Sequence, residues 1–174
     1  MLHPDLVVKH SPLSGRGLFT KKKIPKGTIV WRWNEVNERI YTKSQFDGFS
    51  KRYRDIVRKY GNEYDYERIN YSIDASKYWN HSCDPNTAPL TSKILYMDIA
   101  INDIESGEEL TFDYSLVLSP RWPVSFECNC GTKNCRSVIP KFALNSKMLN
   151  NLSFLAKEAE KHSVRLNQPL LAIS

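Results

Sequence analysis

The sequence predicts a mainly β fold with helices, on three observations. Residues 6–33 hold short apolar clusters broken by Pro, Gly and Ser, residues 44–60 place apolar side chains at three- and four-residue steps, and residues 145–162 repeat such a stripe. The order is therefore strands, a helical insert, more strands and a last helix.

In the opening third, the clusters at 6–8, 18–19 and 29–31 read as strands. Between the second and third lie Lys21, Lys22, Lys23 and Lys26, punctuated by Pro25 and Gly27. That run reads as a solvated turn in preference to a nucleic-acid patch. The helix over 44–60 buries Phe46, Phe49, Tyr53, Ile56, Val57 and Tyr60, with Ser44 and Asp47 resembling a capping box. Gly61 and Asn62 end it, because both tolerate the left-handed conformation common at helix ends. A strand follows over 69–75, then a longer one over 94–104, whose apolar face carries Ile94, Tyr96 and Ala100 with Asp98 out of pattern. After a turn at Ser106 and Gly107, residues 108–114 alternate Leu110 and Phe112 with polar neighbours, as a half-buried strand does. Residues 119–136 are loop-like and bear cysteines. The final helix buries Met148, Leu149, Leu152, Leu155, Ala156 and Ala159.

A length of 174 residues suits one domain with a short appendage. The 41% apolar and 25% charged shares are ordinary for a packed globular chain. No run approaches the roughly 18 apolar residues of a membrane helix, and the first residues lack a signal-peptide apolar core, so intracellular residence without a membrane partner is expected. A formal charge of +6 favours an acidic partner, whether nucleic acid, nucleosome or anionic cofactor, without choosing among them.

The chain holds 4 cysteines, three of them in Cys128-Asn129-Cys130-Gly131-Thr132-Lys133-Asn134-Cys135. In a reducing compartment disulfides are disfavoured, and structural zinc takes four ligands in a tetrahedron with thiolates about 2.3 Å away. Cys83 supplies the fourth thiol. The alternative of four unrelated thiols leaves a Gly-, Thr- and Asn-rich loop with little apolar surface to fix it. His81 is a less economical ligand, since four thiolates already satisfy the ion.

Asn80-His81-Ser82-Cys83-Asp84-Pro85-Asn86, Glu109-Leu110-Thr111-Phe112-Asp113-Tyr114 and the clustered cysteines occur in that order. They resemble the signature segments of SET-domain lysine methyltransferases and their post-SET zinc module. Gly15-Arg16-Gly17-Leu18-Phe19 is similar to that family's N-terminal glycine motif. The resemblance spans residues 14–139 and leaves the last helix unexplained.

The resemblance implies a mainly β fold with α of the SET β-clip type: several small β-sheets, a pseudoknot in which the segments bearing Asn80 and Tyr114 thread past each other, a helical insert over about 40–68, and a C-terminal helix. Its implied boundaries are 1–118 for the SET domain, 119–140 for the zinc module and 141–174 for the extension. S-adenosylmethionine is the implied cofactor, held by main-chain groups of Arg16, Gly17 and Leu18, by Asn80 at its amino-acid end and by His81 at its adenine. Tyr114 matches the tyrosine at the point of methyl transfer, and Phe112 a channel position that sets how many methyl groups are added; with Phe there, two or three are expected. The implied zinc ligands are Cys83, Cys128, Cys130 and Cys135. A histone tail is the implied substrate class, with a nucleosome contact possible and other proteins as alternatives. The site of action is then the nucleus for a eukaryotic chain, and the cytoplasm or a host for a bacterial or viral one.

Lys77-Tyr78-Trp79 departs from the family's usual Arg-Phe-Ile before the Asn80 segment, so Trp79 alters the local pocket. A further channel tyrosine is expected among Tyr60, Tyr64, Tyr66 and Tyr71. Two competing readings are a pseudoenzyme keeping the zinc scaffold, which Tyr114 and Asn80 argue against, and a basic nucleic-acid-binding zinc protein with salt-dependent DNA affinity.

Overall fold

The computed structural model describes residues 1–63, 67–91, 96–116 and 126–139. In chain order the elements are β1 (Leu6–His10), β2 (Arg16–Thr20), β3 (Ile29–Arg32), β4 (Glu38–Thr42), α1 (Lys43–Asp47), α2 (Lys51–Tyr60), β5 (Gly61–Glu63), β6 (Arg68–Ser72), β7 (Asn80–His81), β8 (Thr87–Thr91), β9 (Tyr96–Ala100), β10 (Glu109–Phe112), β11 (Phe126–Glu127) and β12 (Val138–Ile139). Short 3-10 turns cover Ala75–Tyr78 and Tyr114–Leu116. The expected final helix, with Tyr64 and Tyr66, lies outside the described residues, and no described helix is long and apolar enough to cross a membrane.

Small sheets build the molecule. The largest has the order β1-β2-β10-β7, and three-stranded sheets run β3-β9-β8 and β4-β6-β5. Leu18, Ile24, Val30, Ala100, Ile104 and Leu110 form the main core, with Trp79 packed against it. Because β2 and β10 each point a leucine inward in register, Leu18 opposite Leu110, the middle of the largest sheet is fixed by apolar burial.

The insert differs from the single helix expected over residues 44–60. Gly48 ends α1, and Ser50 starts α2 by accepting from the Tyr53 N–H, so a helix stop and a new cap interrupt the periodic pattern. The capping box is Thr42 with Gln45, two residues before the expected Ser44 with Asp47. Gly61 does close α2, yet in an extended conformation (φ −94°, ψ 167°). Glycine is needed there for proximity: a Cβ would lie 2.6 Å from Val57 O and 2.8 Å from Asn70 O. The insert has its own small core of Phe46, Val57 and Tyr71.

Two strands are shorter than expected. β6 stops at Ser72 because Asp74 accepts from Ser76 N and starts a 3-10 turn through Ala75. β9 stops at Ala100, and beyond it Ile104 bridges to Ile24. The strand is buried on both faces: Ala100, on the expected one, sits in the main core, while Met97 and Ile99, on the other parity, join Ile29 in a second cluster beside a register shift in β3 between Ile29 and Trp31. The lysine turn is solvated, and two of its lysines are paired: Lys22 with Asp5, and Lys23 with Asp103 and Glu105.

Candidate functional site

The segments bearing Asn80 and Tyr114 lie side by side. β7 runs parallel to β10, with Asn80 beside Thr111 and His81 beside Phe112, and Ser82 N donates to Phe112 O at 3.0 Å. Asn86 and Thr87 continue the contact: Thr111 N donates to Asn86 Oδ1 at 2.8 Å, and the Thr87 hydroxyl to Thr111 O at 2.6 Å. Thr87 is fully buried. Such buried polar groups are satisfied by this one pairing, so it holds β10 in place.

Past β10 the chain turns at Asp113. Its carboxylate, 6% exposed, accepts from Ser115 N at 3.0 Å, the Ser115 hydroxyl at 2.8 Å and Arg136 Nη2 at 2.6 Å. The turn presents Tyr114, whose hydroxyl donates to Trp79 O at 2.6 Å and whose ring packs on Phe126 and His81. Burial, and next the charge of Glu109, push the phenol up to about 12, so it stays protonated. Phe112 is buried, its ring 6.3 Å from that of Trp79. Trp79 thus contributes its carbonyl to Tyr114 and its ring to the Phe112 wall.

At the other end of β7, Asn80 Nδ2 donates to Ser14 O, Arg16 O and Glu109 Oε1 at 3.2, 2.9 and 2.8 Å. The amide nitrogen faces the glycine segment, so Asn80 Oδ1 is turned away from it. Leu18 lies mid-sheet, in register with Val8 and Leu110 on its two sides. Arg16 and Gly17 lie beyond the stretch paired with β10, next to Asn80.

The four cysteines converge. Their sulfurs lie within 4.8 Å of one another, Cys83 and Cys128 at 3.6 Å, and none is in a disulfide. A tetrahedron with Zn–S bonds of about 2.3 Å has edges of roughly 3.8 Å, so the donor set fits one zinc ion. Around Cys83 Sγ stand three N–H donors at 3.3 Å: Arg136 N, Arg136 Nε and His81 Nε2. The tautomer follows from the other ring nitrogen, because His81 Nδ1 accepts from Tyr114 N at 3.1 Å. Burial pushes His81 down to about 4 against the pull of Asp113, with Arg136 adding to the lowering, and the ring is neutral. His81 therefore joins the sulfur cluster to the Tyr114 turn without itself being needed as a fourth ligand.

The β7–β10 pairing brings Asn80, His81, Phe112 and Tyr114 together, with the sulfurs beyond His81 and with Arg16 and Gly17 beside Asn80, whereas the Leu18 side chain is buried in the main core. Of the tyrosines, Tyr71 is buried in the insert core, and Tyr60 packs on Tyr78 at 5.6 Å. Sequence reasoning missed Glu109, Asp113 and Arg136 as partners. Their one signal was position: a charged residue inside a short strand, beside the tyrosine, and directly after the last cysteine.

A model of the SET domain matches residues 15–115. The chain is 32% identical over 161 residues to the histone-lysine N-methyltransferase Su(var)3-9 of Drosophila pseudoobscura pseudoobscura, across 79% of this chain and 25% of that protein. It is 30% identical over 151 residues to the histone-lysine N-methyltransferase SUV39H2 of Xenopus tropicalis, across 72% of this chain and 36% of that protein. It thus spans about a quarter of the first of these relatives and about a third of the second. Among solved structures, KRYPTONITE in complex with mCHG DNA and SAH is similar in fold, with a TM-score of 0.55 at 23% identity over 78% of this chain and 29% of that one.

Proposed function

The chain belongs to the SET-domain family, and on that premise we propose that it is a protein-lysine N-methyltransferase using S-adenosylmethionine, with a structural zinc ion on Cys83, Cys128, Cys130 and Cys135. The observation that carries the reading is the pairing of β7 with β10, which sets Asn80 and His81 beside Phe112 and leads Tyr114 back onto the Trp79 carbonyl.

The residues suit the cofactor. Asn80 Oδ1 is an acceptor for its ammonium, Arg16 and Gly17 offer main-chain groups beside it, and His81 offers its main chain to the adenine. The cofactor supplies an electrophilic methyl group on a sulfonium. The protein's task is alignment, which by itself accounts for large accelerations when two reacting centres are held in line. Tyr114, protonated and anchored on Trp79 O, is a fixed dipole that orients the incoming amine and needs no role as a base. A free lysine titrates near 10.4, so desolvation between Trp79, Phe112 and Tyr114 has to favour the neutral amine. Phe112 brings no hydroxyl to hold water beside that amine, which leaves room for two or three methyl groups.

The substrate class proposed is a histone tail, and the place of action chromatin, in line with the histone-lysine methyltransferases the chain resembles. The basic charge of +6 suits a nucleosome contact. Incubation of the zinc-loaded chain with labelled cofactor and separate core histones tests this. Label on lysine with the native chain, and about 100-fold slower labelling with Tyr114→Phe, is expected. Calorimetric cofactor binding without transfer to any protein would instead mark a pseudoenzyme.

A further inference from the structure

Glu109 places a negative charge where three strands of the site meet, and none of the roles above uses it. It opens β10, in register with Phe19 of β2. Oε1 accepts from Asn80 Nδ2 at 2.8 Å, and Oε2 from the buried Ser11 hydroxyl at 2.8 Å. Both anchors are neutral, so they fix the carboxylate without cancelling its charge. The glycine motif makes the room: a Cβ on Gly17 would lie 2.0 Å from Oε1 and 3.0 Å from Ser11 Cβ. The field of the carboxylate also reaches the transfer point, since after burial it is Glu109 that raises the Tyr114 phenol.

A fixed anion against Asn80 and Gly17, the residues offered to the cofactor, acts on whatever differs in charge in the ligand bound beside them. The methyl donor is cationic at sulfur, whereas the product left after transfer is a neutral thioether; their ammonium and carboxylate are the same. Coulomb attraction to Glu109 therefore stabilises donor over product. Resting on the methyltransferase reading, we propose that Glu109 sets the charge preference of the cofactor site, so that the spent cofactor is the more weakly held of the two and exchanges readily.

The test is calorimetry on the full zinc-loaded chain with two unreactive ligands: sinefungin, which carries an ammonium where the donor has its sulfonium, and S-adenosylhomocysteine, which is neutral there. The native chain is expected to prefer sinefungin. Glu109→Gln should lower that preference on the order of tenfold, while Glu109→Asp, which keeps the charge, should weaken both ligands and keep the ratio. A purely structural role weakens both ligands alike in Glu109→Gln; an unchanged ratio would therefore overturn the proposal. If Glu109→Gln does not fold, salt decides: the native ratio should fall as salt rises to about 0.5 M, and a ratio indifferent to salt counts against Glu109. A native chain that binds neither ligand contradicts the methyltransferase reading itself, whereas binding of both with an unmoved ratio contradicts only the role of Glu109.

Discussion

Arg136 donates to Cys83 Sγ twice, from its main-chain nitrogen and from Nε, at 3.3 Å each. Its Nη2 meanwhile holds Asp113, the neighbour of Tyr114, at 2.6 Å. One side chain thus ties the sulfur cluster to the turn that presents the phenol. Replacing Arg136 with Met should leave one zinc bound per chain and lower kcat roughly tenfold to a hundredfold, with little change in cofactor affinity. In the cobalt-substituted protein the sulfur-to-metal charge-transfer band should shift as well, because the Nε–H···S bond is lost while the main-chain one stays. An unmoved band with unchanged kcat would leave Arg136 as an ordinary surface cation.

The zinc site ties segments far apart in the chain. Cys83→Ser removes a ligand, so metal content should fall well below one equivalent and Tm should drop by roughly 10 °C, the size expected when a tightly bound ligand of the native state is lost. Chelation of the native chain should reproduce the drop and readdition of zinc should reverse it. Equal stability with and without metal would contradict a structural ion.

Burial raises the Tyr114 phenol to about 12. In the unfolded chain it would ionise near 10, so it costs stability only as pH rises from about 10 towards 12, and it stays protonated below that. The rise of rate with pH should therefore belong to the substrate amine. The pH–rate curve of Tyr114→Phe should be lowered by about 100-fold or more with its midpoint unmoved. A midpoint displaced in the variant would make Tyr114 the titrating group.

The Phe112 ring is buried beside Trp79. Phe112→Tyr adds a hydroxyl that can hold a water where a second methyl would go, so product should shift from two or three methyl groups to one, read by mass spectrometry of the digested substrate. A native product that stops at one methyl would refute the reading of Phe112.

Much of this was legible in the sequence because the informative residues are local in pattern. The strand around Leu110 announces itself by alternation, the one around Leu18 by an apolar cluster between turn residues, and Cys128, Cys130 and Cys135 by spacing. Other features were hidden for physical reasons. A periodic stripe does not reveal that Ser50 caps a second helix, because a cap competes with the helix it interrupts. Gly61 looked like a left-handed stop, yet the pressure on it comes from Val57 O and Asn70 O, contacts made only after folding. Glu109, Asp113 and Arg136 act through hydrogen-bond partners up to 98, 23 and 53 residues away, and charge in a sequence does not name its partner.

The central claim is that donor and amine meet at Tyr114, between Trp79 and Phe112. A crystal structure with S-adenosylhomocysteine and a lysine peptide measures it directly. The account predicts the ligand's ammonium on Asn80 Oδ1 and its sulfur facing the lysine nitrogen beside the Tyr114 hydroxyl. A ligand bound elsewhere, or a lysine remote from Tyr114, would contradict it.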